Sequence, residues 1–239
     1  MLSETDRKRL VENWQRTVAD VAASAAKAGR SNADVRIIGV SKYVNAELTA
    51  ALCDVGCDEL GEARPQQLCE KVAEVQRDGA TWHLIGHLQR NKARRVVEVA
   101  DVIHSVDSLK LLQAIVGYAA QTERMPKILI EVNISGDSDK HGFSSADLLA
   151  LWPQLQKVGG LPIVGLMAMA GLASRGDETK QQFAAVRELR DTIVSRYGSP
   201  LTELSMGMSG DFEQAISEGA TMLRIGSRLF EGLKEQAII

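Results

Sequence analysis

The sequence predicts a (β/α)8 TIM barrel, and two observations carry this prediction. Eight short apolar segments recur along a chain of 239 residues, with helical patterns between them. Several of these segments lack the alternation of a half-exposed strand, as expected for parallel strands covered on both faces. Eight strand–helix units in about 250 residues are typical of a TIM barrel. A doubly wound parallel sheet is the alternative that the same pattern allows.

Eight segments are predicted to contain the strands. In chain order they are VRIIGVSK (35–42), DELGEA (58–63), TWHLIGH (81–87), DVIHSVDS (101–108), KILIEVNIS (127–135), PIVGLMAMAG (162–171), TELSMGMS (202–209) and MLRIGSRLF (222–230). The clearest helix between them places Phe183, Val186, Leu189 and Ile193 at spacings of three and four. No Pro- or Gly-rich linker divides the chain, so we expect residues 1–239 to form one domain.

An additional helix is predicted before the first strand, within residues 1–29. Apolar residues recur there at spacings of three and four, and Ser3 with Asp6 forms a plausible N-terminal cap. Gly29 is expected to end this helix, which we expect to pack on the barrel. The recurring apolar residues are Leu10, Trp14, Val18, Val21 and Ala25.

The composition narrows the class of protein. The chain is 45% hydrophobic and 25% charged with a net charge of −3, which gives no electrostatic reason to expect nucleic acid as a partner. No apolar stretch approaches the roughly 20 residues that span a bilayer, and the charged N-terminus argues against a secretory signal. The three cysteines, Cys53, Cys57 and Cys69, are expected to be reduced thiols. We therefore expect a cytoplasmic protein without a membrane partner. Because no second domain is expected, we also expect a monomer.

Glycine-rich segments end the seventh and eighth predicted strands. In a TIM barrel, phosphate groups often bind between the loops that follow these two strands. Glycine lets the backbone approach an anion closely, and successive N–H groups supply the donors. Gly207, Ser209 and Gly210 lie at the first of these ends, and Gly226 and Ser227 at the second. Together they predict a phosphate site, although a tight turn would explain each glycine alone.

Two cations complete the predicted site. Lys42 ends the first strand, and Arg224 lies within the last, where alternation aims it into the barrel mouth. A lysine in a partly desolvated pocket near another cation loses its proton more readily and attacks a carbonyl. Pyridoxal 5′-phosphate (PLP) is an aldehyde that carries its own phosphate, so it satisfies both features. The alternatives are a Lys42 that extends from the strand end to water and an Arg224 paired with an acidic residue.

No metal site is predicted from local spacing. His83 and His87 are four apart, but on a strand and its loop, without the glutamate of an H-E-x-x-H motif. The segment DSDKHG at 137–142 begins like a calcium loop, yet Leu148 stands where the bidentate glutamate belongs. The basic segment 90–95 is expected to be a solvated helix face, with a docking patch as the alternative.

Eight motifs occur in order along the chain and together match a known family. They are VSKY (40–43), GE (61–62), HLIGHLQRNK (83–92), SVDS (105–108), EVNISGDSDKHG (131–142), GLM (165–167), LSMGMSGDFEQAI (204–216) and RIGSRLF (224–230). From about residue 35 to residue 232, the chain resembles the PLP homeostasis protein family, also called the proline synthase co-transcribed family. The resemblance implies a barrel like the N-terminal domain of alanine racemase, which is the type III PLP fold, without the racemase β-domain.

The resemblance also implies roles for individual residues. Lys42 would form a covalent Schiff base with PLP. Arg224 would lie near the phosphate or the pyridine edge, and Met167 and Ser205 would line the pocket. Ser209, Gly226 and Ser227 would hold the phosphate.

One position departs from the family pattern. The family usually has an asparagine after the GE motif, followed by tyrosine, whereas this chain has Ala63 and Arg64. An asparagine contact to the ring hydroxyl or the Schiff base cannot be made by Ala63.

The expected function is a non-catalytic PLP-binding protein that buffers PLP or delivers it to PLP-dependent apoenzymes. Racemases with this fold use a tyrosine from a second domain of a partner subunit, and no such domain is expected here. The alternative is a small PLP-dependent amino-acid racemase or lyase, with His83 or Tyr43 as the proton shuttle. A phosphate-sugar enzyme on the same barrel is a third class.

Overall fold

The chain folds into a closed barrel of eight parallel strands. The computed structural model describes residues 2–137 and 139–233. Each strand pairs with its neighbours in chain order, and the first pairs with the last in the register Ile38–Arg224 and Gly39–Ile225. This closure confirms the TIM barrel and excludes the doubly wound sheet. The strands are β1 Arg36–Val40, β2 Glu59–Glu62, β3 Thr81–Leu84, β4 Val102–Val106, β5 Lys127–Val132, β6 Ile163–Ala168, β7 Glu203–Met208 and β8 Met222–Ile225.

All eight predicted segments therefore contain a strand. A helix follows each of the first seven strands and covers the outside of the barrel, as the alternating pattern predicts, and one further helix precedes the first strand. They are α1 Glu4–Lys27, α2 Ala46–Asp54, α3 Pro65–Val75, α4 Ala93–Val99, α5 Leu109–Thr122, α6 Ser145–Val158, α7 Asp177–Tyr197 and α8 Phe212–Ser217, with short 3-10 helices at Asn32–Asp34 and Arg90–Lys92.

The helix α1 precedes the barrel and packs against it. The Ser3 Oγ accepts a hydrogen bond from the Asp6 backbone N–H at 3.1 Å, which confirms the predicted cap. Asn13 Nδ2 donates to the backbone oxygens of Leu229 and Glu231, at 3.1 and 2.9 Å. These bonds tie α1 to the segment that follows β8.

Two apolar clusters stabilise the barrel. The larger lies between the sheet and the helices, where Trp152 and Phe183 are fully buried. The smaller fills the interior, because its members come from strands on different sides of the barrel. These members are Ile38, Val102, Leu129, Met167 and Met222.

Within the described residues, no helix combines the length and the apolar character that crossing a membrane requires.

Candidate functional site

A cavity of about 630 Å³ opens at the C-terminal mouth of the barrel. Its walls include Val40 and Met208, which are the last residues of β1 and β7. This is the face on which TIM barrels carry their chemistry. Six of the residues predicted to bind the cofactor or its phosphate line it together, namely Lys42, Ser209, Gly210, Arg224, Gly226 and Ser227.

Lys42 is half-buried and lines the cavity. Its Nζ lies 4.9 Å from the ring centroid of Tyr43, which also lines the cavity and is 64% exposed. Among the described residues, the amine of Lys42 forms no ion pair and no hydrogen bond. It is therefore available to a ligand.

A buried ion pair holds the backbone next to Lys42. Lys71, on α3, is 3% exposed in its side chain and pairs with Glu62, which is fully buried at the end of β2. Lys71 Nζ also donates to the backbone oxygen of Ser41 at 2.6 Å, and Ser41 Oγ donates to Glu62 Oε1 at 3.0 Å. Ser41, which precedes Lys42, is thus held through its backbone oxygen by Lys71 and through its hydroxyl by Glu62. Lys71 was not predicted as a site residue, because lysine is rarely buried, although it shares a face of α3 with Leu68 and Val75.

Free backbone donors lie on another wall of the cavity. Within the part of the chain that the structure describes, the N–H groups of Ser209, Gly210 and Ser227 have no hydrogen-bond acceptor. Ser209 Oγ accepts weakly from the Gly226 N–H at 3.4 Å, which brings the loops after β7 and β8 together. Unpaired N–H groups converging from two loops are the arrangement that binds a phosphate.

Arg224 lines the cavity and is 4% exposed. Its Nη1 donates to the backbone oxygen and the Oγ of Ser205, both at 2.7 Å, and its Nη2 donates to the Ala168 oxygen at 2.9 Å. Burial lowers the pKa of Arg224 to about 10, although the charges of Asp211 and Glu131 oppose this shift. The side chain forms no ion pair among the described residues, so the expected alternative of a carboxylate-paired arginine is not observed.

A chain of polar side chains leads from Arg224 into the barrel interior. Ser205 Oγ lies 2.9 Å from His104 Nδ1, His104 Nε2 lies 2.8 Å from His83 Nδ1, and His83 Nε2 lies 2.5 Å from Glu59 Oε2. The directions are fixed at the two ends of the chain, because the guanidinium only donates to Ser205 Oγ and the Glu59 carboxylate only accepts from His83 Nε2. Burial lowers the pKa of His104 well below its ordinary value, and the charges of His83 and Arg224 add to this, so His104 is neutral.

The structure does not bring all predicted site residues to the cavity wall. Met167 is buried in the interior cluster, and Met169, two residues further on, lines the cavity instead. Ser205 lies one hydrogen bond beneath the wall, through Arg224. Gly207 has φ of +92°, and a Cβ there would lie 2.5 Å from that of Ala215, so this glycine lets α8 approach β7.

Two further predicted residues occupy different surroundings. Ala63 lines the cavity, so the departure from the family pattern falls within the site itself. His83, proposed from sequence as one possible proton shuttle, is fully buried in the interior and does not reach the cavity.

In the basic segment 90–95, Arg90 and Arg94 are exposed, as expected of a solvated face.

Glu131, at the end of β5, gives the first testable prediction. Burial raises its pKa to about 7, the nearby Asp107 adds to the rise, and Arg224 opposes it. The folded chain therefore retains a proton that the unfolded chain releases near pH 4.3. Stability should fall by up to about 3 kcal/mol as the pH rises from about 4.5 through 7. Urea unfolding at pH 5 and pH 8 should show that Glu131→Gln removes this loss. Equal losses in variant and wild type would exclude the assignment.

The fold and the site together define a class. The family described as alanine racemase, N-terminal domain, matches residues 6–233. A protein of Aquifex aeolicus named pyridoxal phosphate homeostasis protein is 33% identical over 92% of this chain and 96% of its own length. A Synechocystis protein of the same name is 36% identical over 82% of this chain and 90% of its own. The chain belongs to the pyridoxal phosphate homeostasis protein family.

A solved structure agrees with this assignment. PipY of Synechococcus elongatus, determined with PLP bound, is 38% identical to this chain and gives a TM-score of 0.80. The similarity covers 88% of this chain and 99% of that one.

Proposed function

We propose that this chain binds PLP in the cavity at the barrel mouth and that Lys42 forms the Schiff base. The observation that carries the proposal is a single cavity that presents both a free amine and free backbone N–H groups. Lys42 supplies the amine, and Ser209, Gly210 and Ser227 supply the donors. The PLP bound to PipY supports the choice of ligand.

Each side chain has a definable part in such a complex. PLP, when bound, supplies an aldehyde that condenses reversibly with an amine. Lys42 Nζ would form the C=N bond with the aldehyde carbon as one water is released. The free N–H groups would donate to phosphate oxygens, and Arg224 would supply a buried positive charge at the floor.

The proposed role is PLP homeostasis without catalysis. The chain would buffer PLP or deliver it to PLP-dependent apoenzymes, and so would affect amino- and keto-acid metabolism indirectly. The names of the relatives support this role. We further propose that residues 1–239 act as one domain, as a cytoplasmic monomer, and the free thiols of Cys53, Cys57 and Cys69 fit a reducing compartment.

An absorbance titration tests the ligand and the residue together. Wild type with PLP should develop a Schiff-base band, and Lys42→Ala should lack it. Lys92→Ala is the matched control, because Lys92 is exposed and lies outside the cavity. A band of equal strength in Lys42→Ala would remove Lys42 from its role, and no band in wild type would sink the PLP proposal.

A small PLP-dependent racemase or lyase is the second candidate, and the position of Tyr43 favours it. Among the described residues that line the cavity, Tyr43 is the one with a phenol group, and it follows Lys42 directly in the chain. Incubation of the PLP-loaded protein with a panel of L-amino acids separates the candidates. Multiple turnovers that disappear in Tyr43→Phe would establish the enzyme, whereas unchanged substrates would support the carrier.

A further inference from the structure

Three potential metal ligands meet on the rim of the barrel, outside the residues assigned to PLP. They are His87 after β3, Asp107 after β4 and His141 in the loop after β5, and one ligand atom of each lies within 4.8 Å of the others. His87 Nδ1 is 3.4 Å and His141 Nδ1 is 3.8 Å from Asp107 Oδ2. The loops of three consecutive strands thus converge on one point.

The loop that carries His141 is folded back against β5. Phe143 N–H donates to the Glu131 oxygen and Asn133 N–H donates to the Phe143 oxygen, both at 2.9 Å. Gly142 makes this return possible, because its φ is +107° and a Cβ there would lie 2.8 Å from Asn133 N. Backbone bonds therefore fix the position from which His141 reaches the rim.

Among the described residues, Asp107 contacts two histidines but no permanently charged cation. Asp107 is 16% exposed in its side chain, and within the described residues it forms no hydrogen bond and no ion pair with lysine or arginine. Glu131, near enough for the charge of Asp107 to act on it, is 5% exposed, and its Oε2 has no hydrogen-bond partner. The Asp107 carboxylate has no lysine or arginine in contact, and one oxygen of the nearby Glu131 carboxyl group is unpaired, so this place favours a bound cation.

We propose that His87, Asp107 and His141 bind one divalent transition-metal ion of the zinc type. A tetrahedral Zn²⁺ with ligands at about 2.0–2.1 Å separates neighbouring ligand atoms by about 3.4 Å. The two distances from a histidine Nδ1 to Asp107 Oδ2, 3.4 and 3.8 Å, equal or slightly exceed this separation. The imidazole rings are stacked, with centroids 3.8 Å apart and an angle of 13°, so binding requires them to turn about χ2. Rotation about this bond is soft, and both rings are exposed.

The ligand set selects the class of metal. Two imidazoles and one carboxylate suit zinc, iron, cobalt and nickel rather than calcium or magnesium, which prefer oxygen ligands. Three protein ligands leave at least one coordination position for water or a small ligand. Spacing in the sequence could not predict this site, because its members come from three separate loops.

Zinc titration of the protein without an affinity tag tests the proposal. Calorimetry should find one equivalent of Zn²⁺ bound by wild type, and Co²⁺ should give the visible bands of a tetrahedral site. His87→Ala, Asp107→Asn and His141→Ala should each lose more than the roughly 10–100-fold in affinity that loss of an outer-shell partner causes. Asp78→Asn, an exposed carboxylate elsewhere, should bind as wild type does.

Two outcomes would overturn the metal site. One is the absence of saturable binding by wild type, and the other is wild-type affinity in all three variants, as binding to the Cys69 thiol would give. The Schiff-base band with PLP should be unchanged in His87→Ala, so failure here is distinct from failure of the PLP proposal.

Discussion

Replacing Lys71 by methionine is expected to lower the free energy of unfolding by about 3–5 kcal/mol. The substitution keeps most of the side-chain volume but leaves Glu62 as a fully buried carboxylate without its cation. It also removes the donor to the Ser41 oxygen. Urea unfolding at pH 7 measures the effect, and Lys92→Met on the exposed surface is the control. A loss below about 1 kcal/mol would show that the pair does not stabilise the fold.

The double variant Lys71→Met with Glu62→Leu separates stability from positioning. Replacing a buried ion pair by apolar residues is often neutral or stabilising, so most of the lost stability should return. The bonds that hold the Ser41 peptide would still be absent, and Lys42 follows directly. We therefore expect a folded protein with a weaker Schiff-base band than wild type. A double variant with a wild-type band would restrict Lys71 to a purely structural role.

The strands and Lys42 could be predicted because their signals are local. Parallel strands covered on both faces leave short apolar runs, and the run that forms β1 delivers Lys42 to the C-terminal face of the barrel. The glycines and serines after β7 and β8 mark loops in which the backbone itself donates. Neither inference requires knowledge of a distant contact.

Depth within the barrel could not be read from the same signals. The two-residue alternation of a strand tells which face a side chain occupies but not how far along the barrel axis it lies. Met167 and Met169 share this alternation, yet Met167 packs in the interior cluster and Met169 lines the cavity. Ser205, which the family resemblance implies to be a lining residue, likewise lies beneath Arg224.

Pairs of polar side chains on different elements were equally hidden. Lys71 shares a face of α3 with Leu68 and Val75, but a lysine is rarely buried without a partner, and its burial depends on Glu62 at the end of β2. The interior contact between His83 and His104 joins two strands that each look simply apolar. Such pairs become visible only when the register of the barrel is known.

Replacing Arg224 by methionine is expected to weaken PLP binding by about 10- to 100-fold. Loss of a hydrogen bond to a charged group removes about 1.5–3 kcal/mol, and each 1.4 kcal/mol is tenfold in affinity. The free energy of unfolding should fall by less than the free energy of PLP binding. Removal of the guanidinium leaves the oxygens of Ser205 and Ala168 unpaired. It also removes the free-energy cost of burying a positive charge, which is the cause of the lowered pKa of Arg224.

Comparison of the two measurements decides what Arg224 does. A fluorescence titration gives the dissociation constant for PLP, and urea unfolding without PLP gives the stability of the same variant. Arg228→Met is the matched control, because Arg228 pairs with Asp20 and does not line the cavity. A large loss of affinity with a small loss of stability means that the guanidinium contacts the ligand. An affinity equal to that of wild type would mean that Arg224 only joins β6, β7 and β8 beneath the cavity.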